Sequence, residues 1–186
     1  MPSLFDLLAP IYDRIVGPPE VGPLRELLRL PAAGMVLEAG GGTGRKASLL
    51  QGQAGQVVVA DLSFAMLRTA QQRGGLGLVQ CRAERLPFAA GCFVRVLIAD
   101  ALHHFRSQMD ALGEALRVLQ PGGRLLIEEP DTRQVAGKVV ALAERFLLMH
   151  SRFLSVEDLT AWIARQGLRF VVDRDRRISV RIAVDK

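Results

Sequence analysis

Cysteine, histidine and the aromatic residues are scarce in this chain, and the shortage limits the kinds of site it can hold. The 186 residues include two cysteines, three histidines, one tyrosine and one tryptophan. Cys81 and Cys92 stand singly, without the close spacing that is typical of zinc ligands. We therefore expect both to be reduced core or turn residues, with no disulfide and no metal site.

Long hydrophobic runs are also absent. No apolar stretch approaches the roughly 18 residues that cross a bilayer, and the N-terminus lacks a basic segment followed by an apolar one. About half of the residues are hydrophobic (49%), so a chain of this length can bury one large core but is too short for two ordinary domains. These features predict a single domain in the cytoplasm.

Lysine is the third shortage, since the formal net charge of +5 comes almost wholly from arginine. A basic surface is typical of nucleic-acid-binding proteins. Here, however, the arginines are spread along the chain and few aromatic residues accompany them. The one dense run, Arg174 to Arg181, alternates with apolar residues as the solvent-facing side of a strand does. We expect this run to be a solvated strand face, and we expect no nucleic-acid partner.

Glycine, by contrast, is concentrated where an apolar run ends. Residues 36–44 read VLEAGGGTG, and a second apolar run at 57–59 leads to Asp61. Glycine tolerates the positive φ of a sharp turn, and the helix that follows directs free N–H groups toward the same point. A carboxylate at the tip of the second strand can accept hydrogen bonds from both hydroxyls of a ribose. Together these features predict a site for a cofactor that contains adenosine.

The spacing of the glycines distinguishes between such cofactors. A dinucleotide fingerprint needs a third glycine three residues after the second, but Arg45 occupies that place when Gly40 and Gly42 are the first two. The glycines fall instead at Gly40, Gly42 and Gly44. This G-x-G-x-G form resembles motif I of the class I S-adenosylmethionine-dependent methyltransferases.

Further segments resemble the same family in the same order along the chain. In the family they open the domain, hold the ribose, line the adenine, form the fourth strand with its loop, and form a helix-turn-strand. Here they are residues 9–14, 61–70, 83–88, 93–105 and 117–128, respectively. The opening segment is similar to that of the ubiquinone and menaquinone biosynthesis methyltransferases and their small-molecule relatives. The resemblance covers roughly residues 5–130.

The resemblance implies S-adenosylmethionine as cofactor and S-adenosylhomocysteine as product. The cofactor-binding residues that it implies are Tyr12, Glu38, Gly40, Gly42, Thr43, Gly44, Asp61, Leu62, Met66, Ala83, Glu84 and Asp100. Most catalysis in the family comes from placing the reactants and excluding water. A general base matters only if the acceptor must lose a proton, and His104, His103 and Asp100 are the candidates. A structural packing role is the alternative for Tyr12 and for one of the two histidines.

Three residues depart from the family pattern. Glu38 replaces the usual aspartate of motif I and keeps its charge. Arg82 stands where an acidic residue usually accepts from the adenine amino group, and a guanidinium cannot accept a hydrogen bond. We therefore expect the backbone at Ala83 to recognise adenine. Val94 replaces an aspartate, and this departure, with Arg82, favours a second interpretation in which the cofactor binds without methyl transfer.

Hydrophobic periodicity predicts the fold class. Strands are expected at 35–39, 56–60, 76–81, 94–99, 124–128, 169–173 and 178–184. Their alternation with helices predicts a Rossmann-like, doubly wound α/β sheet of seven mostly parallel strands, covered on both faces. The last two strands are too close for a crossover helix, so they should form an antiparallel hairpin. Ser155, followed by Glu157 and Asp158, predicts the start of a helix that reaches Arg165.

Four regions are expected within the single domain. They are a helical cap at 1–30, a cofactor-binding core at 31–130, a substrate lid helix at 131–155, and a helix with the hairpin at 156–186. Apolar residues from Val135 to Phe153 recur at helical spacing in a stripe wider than one core face needs. This stripe is expected to cover an apolar substrate, with a homodimer partner or the sheet as the alternative contacts.

The predicted function is methyl transfer to a small, hydrophobic acceptor. One alternative is a protein that binds S-adenosylmethionine or S-adenosylhomocysteine without catalysis. A methyltransferase acting on RNA or protein is the other, and only the basic composition supports it.

Overall fold

A seven-stranded sheet forms the centre of the computed structural model, which describes residues 4–131, 153–174 and 179–186. The strands are β1 (Ala32–Ala39), β2 (Ala54–Asp61), β3 (Leu76–Gln80), β4 (Phe93–Ala99), β5 (Leu119–Pro130), β6 (Arg169–Arg174) and β7 (Ser179–Asp185). They lie in the order β3-β2-β1-β4-β5-β7-β6. β1 to β5 pair in parallel, whereas β7 is antiparallel to both β5 and β6. The predicted Rossmann-like fold with its C-terminal hairpin is confirmed.

Helices connect these strands in the described part of the chain. They are α1 (Leu4–Leu8), α2 (Tyr12–Val16), α3 (Gly22–Leu27), α4 (Ala47–Leu50), α5 (Phe64–Gln71), α6 (Gln108–Val118) and α7 (Val156–Arg165), with a 3-10 turn at Leu102–His104. None of the described helices has the length and apolar character needed to cross a bilayer. The predicted lid at 131–155 falls almost wholly outside the described residues, so the lid helix stays a prediction.

The central strands are buried on both faces of the sheet. Val36 and Leu37 are neighbours in β1, and each is fully buried in a different apolar layer. Leu97 and Ile98 in β4 are likewise fully buried, one in each layer. A parallel sheet covered by helices on both faces needs such continuous apolar strands. A ligand can therefore reach the sheet only at the strand ends, where the chain turns into loops.

The N-cap of α7 is a feature that the sequence predicts and the structure confirms. The Ser155 hydroxyl accepts a hydrogen bond from the Asp158 N–H at 3.0 Å. We expect Ser155→Ala to lower the free energy of unfolding by about 1 kcal/mol, because an N–H at the start of the helix loses its partner. Urea denaturation measures this loss. Ser155→Asn keeps an acceptor and should retain most of the stability, so an equal loss in both variants would contradict the capping role.

Candidate active site

A cavity of about 560 Å³ opens at the carboxyl ends of β1, β2 and β4. Its walls come from the loops after these strands, from residues 81–84 after β3, and from α1 and α2. The chain runs outward from β1 to β2 on one side and reaches β4 on the other. Open α/β sheets bind their ligands at this kind of switch point.

The structure brings nine of the twelve predicted cofactor residues to this cavity. Those that line it are Tyr12, Gly40, Gly42, Asp61, Leu62, Met66, Ala83, Glu84 and Asp100. Glu38, Thr43 and Gly44 are not among the lining residues, and each supports the site from behind. Sequence reasoning did not select Phe5, Asp6, Ser63 and Cys81, which also line the cavity. Burial and the nearby Asp61 raise the pKa of the Cys81 thiol to about 11, so it is protonated at neutral pH.

Asp61 lies at the tip of β2, where its carboxylate joins two loops. One oxygen accepts the Gly42 N–H at 2.8 Å, and the other accepts the Ser63 N–H at 2.8 Å. Burial raises the pKa of Asp61, while these backbone N–H groups oppose the shift by stabilising the charged form. Because a carboxylate oxygen has a second acceptor position, both oxygens can still bind hydroxyl groups in the cavity.

The glycines of the loop after β1 serve two different purposes. Gly42 faces the cavity with φ +54°, a conformation that other residues rarely adopt. Gly44 lies behind, where a Cβ would approach Leu76 Cδ1 to 2.9 Å and Ala70 Cβ to 3.2 Å. Gly44 therefore allows the loop to pack closely on α5 and β3. It shapes the site without lining the cavity, and its predicted contact with a cofactor stays a prediction.

Thr43 and Glu38 are also absent from the cavity lining, and their predicted contacts with a cofactor stay predictions. The Thr43 hydroxyl donates to Asp13 at 2.6 Å, and Arg73 pairs with the same carboxylate, so Thr43 ties the glycine loop to α2. Glu38 is 2% exposed and accepts the Ala47 N–H at 2.9 Å. It satisfies a backbone donor at the start of α4, and its burial raises its pKa to about 7.

The raised pKa of Glu38 predicts a pH-dependent stability. Between its usual 4.5 and about 7, the folded state binds a proton that the unfolded state has released. Glu38 therefore contributes stability below pH 4.5 that is lost as the pH rises through 7. We expect Glu38→Gln, which keeps an acceptor for Ala47, to gain about 2 kcal/mol relative to wild type between pH 5 and pH 8. Denaturation across this range measures the gain.

The control for this experiment is Glu26→Gln, because Glu26 is an exposed carboxylate on α3. It should leave the pH profile unchanged. A wild-type profile that runs parallel to that of Glu38→Gln would show that Glu38 titrates normally in the folded protein.

Glu84 lines the cavity, but other groups already occupy its carboxylate. One oxygen accepts the N–H groups of Arg106 and Ser107 at 2.8 and 3.2 Å. The other lies 3.4 Å from Nε of Arg82. Glu84 therefore holds the loop before α6 against the loop after β3. Arg82 lies at the cavity wall beside it.

The two histidines have different surroundings. His104 lines the cavity, and its ring contacts the Phe5 ring edge-on with centroids 4.9 Å apart. His103 is 2% exposed, with Nδ1 2.5 Å from Glu129 and its ring stacked on Phe153. Glu129 also accepts the N–H groups of the loop at Ala101 and 102. His103 therefore braces this loop from behind, and its role as a candidate base stays a prediction.

Four charged residues, Asp100 at the cavity wall and three buried behind it, form a network that the sequence analysis missed. The Lys46 ammonium lies 2.7 Å from Asp100 Oδ2 and 3.1 Å from Glu128 Oε1. The other Glu128 oxygen lies 3.1 Å from Arg181 Nε. Lys46, Glu128 and Arg181 are each under 7% exposed. We call Lys46, Asp100, Glu128 and Arg181 the buried charge network.

The network corrects the predicted exposure of Arg181 and bears on Asp100 as a candidate base. Arg181 is 3% exposed, so this part of the arginine run is not a solvated strand face. Burial alone would raise the pKa of Asp100, but the adjacent Lys46 and Arg45 outweigh it and lower the pKa. A carboxylate with a lowered pKa is a weak base, and one Asp100 oxygen is already bound to Lys46. The sequence feature that could have predicted the network is the pair Glu128 and Glu129 at the end of an apolar strand. Charged residues that become buried need partners of opposite charge or hydrogen bonds.

The fold is that of the Rossmann-like class of α/β proteins, and part of the chain matches a family model. Residues 37–127 match the family described as "Methyltransferase domain". The match begins in β1 and ends in β5, so it includes the loops after β1, β2, β3 and β4 that line the cavity. The match covers just under half of the chain, which is similar over these residues to a methyltransferase domain.

The chain is similar in sequence to part of the length of several curated proteins. It is 43% identical over 114 residues to the ubiquinone/menaquinone biosynthesis C-methyltransferase UbiE of Pseudomonas fluorescens (strain Pf0-1), which covers 56% of this chain and 44% of that relative. The Pseudomonas putida protein of the same name is 41% identical over 163 residues, covering 81% and 64%. The chain therefore spans less than two thirds of either relative.

Solved structures resemble the chain over most of its length. A S-adenosylmethionine-dependent methyltransferase from Thermotoga maritima has a TM-score of 0.80 and 24% identity, covering 98% of both chains. Phosphoethanolamine N-methyltransferase 2 of Haemonchus contortus, in complex with S-adenosyl-L-methionine, has a TM-score of 0.77 and 17% identity, covering 97% of this chain and 57% of that one. At these identities the likeness shows the shared fold.

Proposed function

We propose that the chain binds S-adenosylmethionine in the cavity and transfers its methyl group to a small, apolar acceptor. The observation that carries this proposal is the Asp61 carboxylate, held by Gly42 and Ser63 at the cavity wall beside the glycine loop. The family match and the C-methyltransferase relatives support it. These residues suit the adenosyl group of the cofactor. The acceptor is proposed only as a chemical class.

The lining residues fit an adenosyl group part by part. Asp61 would hold the ribose hydroxyls, since both of its oxygens keep an open acceptor position. Leu62 and Met66 would contact the base with apolar surface, and the backbone at Ala83 would recognise its edge. The loop at Gly40 and 42 lets the ligand approach the backbone closely. When bound, the cofactor supplies a methyl group on a positively charged sulfur, which a nucleophile can displace.

The protein's own contribution is to position the reactants and exclude water. Phe5, Tyr12 and Phe105 add aromatic walls to the cavity. Lys46 holds Asp100 in its charged form at the wall, and a negative charge there favours a cationic ligand. His104 faces the same space and is the residue we propose as the base for an acceptor that must lose a proton.

The proposed acceptor is small and largely hydrophobic. The aromatic and aliphatic walls favour such a molecule, and the relatives named above are C-methyltransferases of quinone biosynthesis. We propose methylation at carbon on the same support. The predicted lid at 131–155 and a homodimer belong to this proposal as well.

Binding and turnover test the proposal separately. Calorimetry should show binding of S-adenosylmethionine and S-adenosylhomocysteine but not of NAD, and tight NAD binding would overturn the cofactor assignment. Labelled S-adenosylmethionine is then incubated with quinones, phenols, lipids, RNA and protein. Label in a small apolar product supports the proposed function. Binding without any transfer would identify a non-catalytic cofactor-binding protein, and label in RNA or protein would replace the acceptor class.

A further inference from the structure

Exposed apolar side chains are concentrated on one part of the described surface. Eight large hydrophobic residues are exposed in the described part of the chain, and six belong to two short segments. These six are Leu7, Ile11, Ile15, Val16, Leu62 and Phe64, which we call the apolar rim. Between 43% and 64% of each residue is exposed. Apolar residues gathered in this way mark an interaction surface more often than scattered ones do.

Contacts between the two segments place the rim residues side by side. The Ser63 hydroxyl donates to Asp6 at 2.6 Å. Leu7 follows Asp6, while Leu62 and Phe64 flank Ser63, so α1 and the start of α5 present their apolar side chains close together. Ile11 and Ile15 are four residues apart, which places them on one face of α2. The start of α2 is bound to α1 through the Ile11 N–H and the carbonyl of residue 8, at 2.9 Å.

The rim borders one side of the cavity. Leu62 belongs to both the rim and the cavity wall. Asp6 and Tyr12 line the cavity. The rim residue Leu7 follows Asp6, and the rim residue Ile11 precedes Tyr12. A surface that docks on the rim would therefore lie against the cavity entrance.

The charges beside the rim are positive. Arg14 on α2 and Arg68 on α5 are exposed, and Arg68 lies one helical turn after Phe64 on the same face. The acidic residues of α1 and α2 are already engaged, Asp6 by Ser63 and Asp13 by Thr43 and Arg73. The rim thus combines exposed apolar side chains with two exposed arginines. That combination complements a lipid surface with anionic headgroups.

A second copy of the chain fits this surface less well. A two-fold dimer brings the same patch of both subunits together, so it would bring the arginines of the two rims near one another. Like charges in such an interface oppose association. We propose that the apolar rim docks this protein on an anionic lipid bilayer, with the cavity mouth at the membrane surface. That an apolar acceptor enters there from the lipid rests on the proposed function, whereas docking itself does not.

Vesicle flotation of the full chain without cofactor tests the docking. Vesicles of phosphatidylcholine with phosphatidylglycerol should bind the protein better than vesicles of phosphatidylcholine alone, and added salt should reduce the difference. The double variant Ile15→Ser/Phe64→Ser should bind the anionic vesicles about tenfold less or weaker still, because two apolar contacts are lost. Arg14→Gln/Arg68→Gln should remove the preference for anionic lipid.

The matched control is Leu49→Ser/Val171→Ser, which removes the two exposed large hydrophobic residues outside the rim among residues 4–131, 153–174 and 179–186. It should bind vesicles as wild type does. All variants should keep wild-type affinity for S-adenosylmethionine, which verifies their fold independently of docking. Failure of wild type to float with either vesicle would overturn the proposal, as would equal binding by the rim variant. A dimer that the rim variant converts to monomer, with unchanged vesicle binding, would assign the rim to a second copy.

Discussion

Replacing Asp61 with alanine should weaken S-adenosylmethionine binding by about ten- to a hundredfold. The substitution removes an acceptor for the ligand and also releases the N–H groups of Gly42 and Ser63, which Asp61 holds at 2.8 Å. Hydrogen bonds to a charged group contribute about 1.5–3 kcal/mol, and each 1.4 kcal/mol is tenfold in affinity. Isothermal titration with S-adenosylmethionine and S-adenosylhomocysteine measures the loss.

Two further variants show whether this loss belongs to the site. Asp61→Asn keeps one oxygen acceptor and should bind with intermediate affinity. Asp110→Ala removes an exposed carboxylate on α6 that does not line the cavity, and it should change nothing. Unchanged affinity in Asp61→Ala would remove Asp61 from the ligand site and, with it, the observation that carries the proposed function.

Replacing Lys46 with methionine should lower the free energy of unfolding by about 3 kcal/mol. Methionine fills a similar volume, but Asp100 and Glu128 lose the ammonium that lies between them. Removing one partner of a buried ion pair costs about 3–5 kcal/mol, because the remaining charge stays buried. Arg45 and Arg181 still face the two carboxylates, so the lower end of that range is expected. Thermal and urea denaturation measure the loss.

A double-mutant cycle and measurements at low pH test whether the stability loss in Lys46→Met is electrostatic. Lys46→Met with Asp100→Asn should lose less than the sum of the single variants, since no unpaired carboxylate remains at Asp100. The lowered pKa of Asp100 means that its contribution is present above its usual 3.8 and is lost as the pH falls below it. The gap between wild type and Lys46→Met should therefore narrow on acidification. A gap that is constant with pH would point to packing instead of charge.

Local chemistry explains why the sequence predicted much of this molecule. The apolar runs that end at Ala39, Asp61 and Ala99 alternate with helices, and burial on both faces permits few arrangements for such strands. The short link between the last two strands excludes a crossover, so their antiparallel pairing follows from length alone. The glycine loop and Asp61 could be placed together because parallel strands bring their carboxyl ends to one edge.

Side-chain direction is where sequence reasoning was insufficient. Adjacent residues such as His103 and His104 belong to one predicted loop, yet one is buried against Glu129 and the other lines the cavity. Glu38 and Thr43 belong to the glycine motif, but neither lines the cavity. A motif therefore predicts which loop forms the site, while the packing around each residue decides which side chains reach it.

The sequence by itself determined where the strands lie along the chain, the turn after β1 and the carboxylate at the tip of β2. Each of these depends on hydrophobic periodicity or on the backbone freedom of a single residue. Only the tertiary structure decided the partners of the buried charges. Lys46 and Glu128 are 82 residues apart, and Glu128 and Arg181 are 53 apart. No local pattern links such residues. They meet because β5 lies between β4 and β7, and burial leaves each charge stable only where an opposite charge or a hydrogen bond meets it.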